Sequence, residues 1–133
     1  MLPAALAAGD NGPMIAPLQL AIRFLLELAA VVAAGIVGAS VGSPPFGLVG
    51  AIGLAGFFVL VWGLWLAPRA RFPQPATFRL VVGTLVMEAP AVGLVAIGEA
   101  TAGAILAAAI VANAVALAAT GSTDATADEA RTR

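Results

Sequence analysis

The chain has 133 residues, of which 62% are hydrophobic and only 10% charged, against roughly 45–50% and about 25% in soluble domains. A soluble domain of this length leaves about a third of its surface in water and could not hide so much apolar area, so lipid must solvate most of the fold. A formal net charge of −1 with six Lys+Arg supplies no basic stripe for nucleic acid, and the absence of Cys and His removes thiolate chemistry, the usual zinc ligands and the commonest general base.

Residues 1–17 read as a flexible leader containing Asp10, Asn11, Gly12 and Pro13. With no basic n-region and a short apolar run it makes a poor signal peptide. Met14 is an alternative translation start, because the leader adds no apolar span.

Crossing roughly 30 Å of hydrocarbon takes about 20 apolar residues, and four such stretches follow in order. They run over residues 18–38, 47–67, 77–98 and 101–119, punctuated by Ser43-Pro44-Pro45, by Pro68, Pro73 and Pro75, and by Gly98-Glu99. The predicted fold class is therefore all-α, an integral membrane four-helix bundle. The short last separator implies a tight antiparallel hairpin, and residues 120–133 read as a disordered polar tail.

Orientation follows from the placement of arginine. Arg69, Arg71 and Arg79 flank the second connection and the other two connections hold none, so that loop and, by parity, both termini are expected in the cytoplasm. Trp62 and Trp65 fit interface anchors at the same end. The expected location is the inner (plasma) membrane, with the lipid bilayer as the first partner.

Four polar residues interrupt the spans: Arg23, Glu27, Glu88 and Asn113. At about 1.5 Å per residue, Arg23 and Asn113 lie roughly 8–9 Å in from the cytoplasmic side, and Glu27 and Glu88 roughly 13–17 Å in. Charge facing lipid costs at least about 2.5–3.5 kcal/mol, so the four are expected to face inward as one cluster. Arg23 and Glu27, at i and i+4, share a helix face. Three uses fit: a proton or cation site built on Glu27 and Glu88, a substrate site with Arg23 as an anion clamp, or an ion pair that fixes helix register with Asn113 as interhelical glue.

Pro90 removes the hydrogen bond to the carbonyl of Val86 and predicts a kink in the third helix. Small residues recur every fourth position at Gly47, Ala51 and Ala55, and at Ala104, Ala108, Ala112 and Ala116; such stripes admit close packing within the chain, to a second copy or to a partner membrane protein. Gly38-Ala39-Ser40-Val41-Gly42 spells a nucleophile elbow, but the motif needs a strand-turn-helix setting and a His base that the chain lacks. No catalytic residue, metal or cofactor is expected.

The run Arg23-Phe24-Leu25-Leu26-Glu27-Leu28, with Trp62-Gly63 and Ala67-Pro68-Arg69-Ala70, resembles the small bacterial YrdB family, which carries a domain of unknown function. The likeness extends from Leu18 to Gly121 and includes Arg79, Gly98 and Asn113. It departs in the third helix, where that family tends to carry a Glu four residues after the Arg and this chain has Gly83. The resemblance implies a four-helix membrane protein and no particular reaction. The leading expectation is a structural or accessory membrane component, with a small transporter or channel as the alternative, because four-helix exporters that place an acid in helix one often lack the loop-charge bias this chain has.

Overall fold

The structure is a computed structural model that describes residues 12–67 and 69–121. Four helices account for nearly all of it: α1 over Gly12–Ala39, α2 over Phe46–Val61, α3 over Ala76–Ala96 and α4 over Ala100–Thr120. A π-helical turn, Trp62–Leu66, continues α2, and no strand occurs among the described residues. All four helical segments are long and apolar enough to cross a membrane.

Three spans fall within two residues of the stretches read from sequence. The first does not: α1 begins at Gly12 rather than Leu18, so residues 12–17 of the expected leader are helical. Pro17 sits inside the helix as its sixth residue, past the first turn, where it forfeits one bond, to the carbonyl of Pro13. The remainder of the expected leader and the tail from residue 122 lie outside the described residues.

The outward faces are apolar throughout. Leu25, Ile52, Leu85 and Ile105 are each more than 60% exposed, which in water would cost about 25 cal/mol per Å² and in lipid costs nothing. The interior is small by contrast. Ala30, Ala34, Phe58, Met87 and Ile110 form the buried core, so packing depends on close backbone approach more than on large side chains.

Helix α1 touches all three other helices, α3 packs on α1 and α4, and α2 reaches α3 through the π turn. Two glycine contacts set the closest approaches. A Cβ on Gly38 would collide with the carbonyl oxygen of Gly50, and one on Gly50 with that of Gly38; α1 and α2 meet there backbone to backbone. On the other side of the bundle a Cβ on Gly103 would come within 2.6 Å of the Ala91 carbonyl oxygen.

The α3–α4 hairpin closes through a Schellman turn. Gly98 adopts φ 97°, the Glu99 N–H donates to the Leu94 carbonyl at 2.9 Å and the Gly98 N–H to the Val95 carbonyl at 3.1 Å, so glycine's left-handed freedom satisfies the last carbonyls of α3. At the opposite end the Thr120 hydroxyl donates to the Gln19 side-chain oxygen at 2.9 Å. The end of α4 therefore lies beside the start of α1.

Candidate functional site

Two of the four polar residues that interrupt the spans, Arg23 and Glu27, line a cavity of about 420 Å³. Arg23 and Glu27 project into it from successive turns of α1, and Trp62 faces them from the π turn. Arg79 enters from the first turn of α3. Leu20, Phe24, Leu80 and Met87 are among its apolar walls.

Arg23 is the hub. Its Nε lies 3.6 Å from Glu27 Oε1, with the two side chains 11% and 20% exposed. Its Nη1 donates to the Thr84 hydroxyl at 3.3 Å, and Thr84 in turn donates to the Leu80 carbonyl one turn back at 2.6 Å. One guanidinium thus ties α1 to α3 while neutralising the acid beside it. Gly83 makes the room: a Cβ there would stand 3.0 Å from Arg23 Nη2.

Trp62 completes the Glu27 environment. Its indole N–H interacts with the Glu27 carboxylate without reaching ordinary hydrogen-bond geometry, and the nitrogen is buried with no hydrogen-bond partner. The π turn carries Trp62 and Leu66 to the cavity while Trp65, 39% exposed, turns away and stacks on Phe72 with ring centroids 6.1 Å apart. The two tryptophans of one apparent interface belt therefore have different surroundings. No sequence signal announces this, since a π insertion changes the helical register without a marker residue.

Asn113 and Glu88 stand apart from the cavity. Asn113, 6% exposed, donates from Nδ2 to the Gln19 carbonyl at a long 3.4 Å, a contact between α4 and α1, and its Oδ1 is buried without a partner. Glu88 does not line the cavity, and its Oε1 is likewise buried and unpartnered. The structure brings Arg23 and Glu27 together and joins neither Glu88 nor Asn113 to them. Pro90 is buried in α3, which runs unbroken through it.

Among the described residues the Arg23–Glu27 contact is the only ion pair, so Arg79 has no carboxylate of its own. Arg69 and Arg71 lie in the connection and are exposed. No group of three or more His, Cys, Asp or Glu able to hold a metal occurs among the described residues.

One protein family, described as "Protein of unknown function (DUF2568)", matches residues 21–112. The chain belongs to this family. The match spans Arg23, Glu27, Trp62, Arg79 and Glu88 and ends one residue before Asn113. No curated protein and no solved structure matches the chain. DUF2568 membership thus accompanies the four apolar helices of a multi-pass membrane protein and names no activity.

Proposed function

We propose that the protein is a non-enzymatic accessory component of the bacterial inner membrane, of the YrdB type, whose intramembrane Arg23–Glu27 pair holds helix register. The observation that carries this is the pairing itself: Glu27 is neutralised by Arg23 on its own helix, and Arg23 is anchored to Thr84 on α3. A carboxylate held in this way is a poor carrier for a proton or cation, which must bind and leave. Sequence supports the absence of catalysis, since the chain has no His, Cys or Tyr to act as base or nucleophile.

The arginine-bearing connection around Arg69, Arg71 and Arg79 and both termini face the cytoplasm, because positive charge in a short loop resists translocation. Ala104, Ala108 and Ala112 lie on the exposed face of α4, where small side chains admit a second copy or a partner membrane protein. A transport role has one observation in its favour, the unpartnered buried oxygen of Glu88. Against it, Glu88 is absent from the cavity that Glu27 lines, and a two-carboxylate site needs both.

Reconstitution in liposomes with an internal pH dye separates the two. The accessory reading expects no proton movement when cationic or anionic substrates are added across an imposed pH gradient. Substrate-dependent proton release that Glu27→Gln or Glu88→Gln abolishes would establish transport instead.

A further inference from the structure

The cavity's formal charge does not balance. Arg23 and Arg79 line it against the single carboxylate of Glu27, leaving one positive charge in excess inside a largely apolar wall. Two further features have the same sign. Ala76, the first residue of α3, also lines the cavity, and α3 has neither an acidic residue in its first turn nor a side-chain cap, so its free N–H groups and the positive end of its dipole face that region. The Trp62 indole N–H, which meets the Glu27 carboxylate without ordinary hydrogen-bond geometry, is a further donor lining the same cavity.

A second cavity lies at the next level along α1, α2 and α3. It measures about 400 Å³ and is lined by apolar residues alone, including Phe57, Phe58 and Val61 of α2 and Val86, Ala89 and Pro90 of α3. Val61 and Val86 are the sequence neighbours of Trp62 and Met87, which line the charged cavity. The two therefore follow one another up the gap between α2 and α3, which opens because α2 meets α3 through its π turn. Each is in the range of roughly 300–1,000 Å³ typical of small-ligand sites.

We propose that this composite gap is a binding site for an anionic lipid, with the phosphate at Arg79 and the N-terminus of α3 and one acyl chain along the Val61–Val86 groove. A free inorganic anion would account for the charged cavity but not for the apolar groove beside it. A zwitterionic lipid would fill the groove and bring a cationic group to a site already in positive excess. Only a negatively charged amphiphile matches both parts.

The test uses the full chain in liposomes, carrying Trp65→Phe so that Trp62 is the sole tryptophan. Phosphatidylglycerol or phosphatidylcholine with brominated acyl chains is titrated into an unbrominated phosphatidylcholine bilayer, and quenching of Trp62 is read. Brominated phosphatidylglycerol should quench at about a tenfold lower mole fraction, the scale of one charge-assisted hydrogen bond. Arg79→Gln should remove that preference, and Arg69→Gln, outside the cavity, should keep it. Ala76→Glu is the second variant: an acid in the first turn favours the helix yet repels the phosphate, so it too should abolish the preference in a folded protein. Ala89→Phe should weaken quenching by phosphatidylglycerol through obstruction of the groove alone. Equal quenching by the two lipids, or a preference that survives both Arg79→Gln and Ala76→Glu, would overturn the proposal. Loss of the preference on adding millimolar inorganic phosphate would assign the site to a soluble anion and overturn it as well.

Discussion

Gly38 and Gly50 lie backbone against backbone, each occupying the space in which the other's Cβ would have to stand. Neither α1 nor α2 has a large buried side chain at this level to compensate for a wider spacing. Dispersion contacts, lacking a hydrophobic drive in lipid, fall away steeply as helices separate.

Gly38→Ala or Gly50→Ala should therefore destabilise the bundle by about 3 kcal/mol or more, since the added carbon meets a carbonyl and no flexible side chain. Gly53→Ala and Gly56→Ala, whose new Cβ would meet nothing within 4 Å, should be neutral or gain up to about 1 kcal/mol from helix propensity. Stability in mixed micelles titrated with a denaturing detergent gives the comparison directly.

How much of this was readable beforehand differs from element to element. Residues 47–67, 77–98 and 101–119 declare themselves because a bilayer demands a fixed length of apolar chain, and Pro or Gly marks each boundary. The start of α1 does not, because Pro17 looks like punctuation although α1 runs through it. For the site, depth is legible and azimuth is not. Counting 1.5 Å per residue puts Glu27 and Glu88 at matching heights, yet whether they meet depends on how α1 and α3 are rotated, which Arg23, Thr84 and Gly83 decide together. The turning of Trp62 into the cavity rests on a π insertion that no residue type advertises.

Asn113 is the test of how much a lone polar residue contributes. Its one hydrogen bond spans 3.4 Å to a backbone carbonyl and its amide oxygen has no partner. Interhelical hydrogen bonds of this kind average about 0.6 kcal/mol in membrane proteins. Asn113→Ala should thus cost no more than about 1 kcal/mol in the same detergent titration, and a loss of several kcal/mol would show that Asn113 has partners beyond Gln19.

Topology follows from the arginines of the second connection. In this cysteine-free chain, Gln74→Cys should resist a membrane-impermeant maleimide in intact cells and react after lysis. Ser43→Cys, in the first connection, should react in intact cells. The reverse pattern would invert the bundle and place the charged cavity at the outer leaflet.

The pair at the centre of the account is Arg23 and Glu27, and a three-way stability comparison tests it most directly. Wild type, Glu27→Gln and the double change Arg23→Leu with Glu27→Leu are unfolded side by side in mixed micelles. Removing one partner strands a charge that is almost out of solvent, whereas replacing both leaves apolar side chains of similar bulk. Glu27→Gln should lose about 1–3 kcal/mol and the double variant should recover most of that loss. A double variant as unstable as Glu27→Gln, or a Glu27→Gln protein as stable as wild type, would contradict a structural role for the pair.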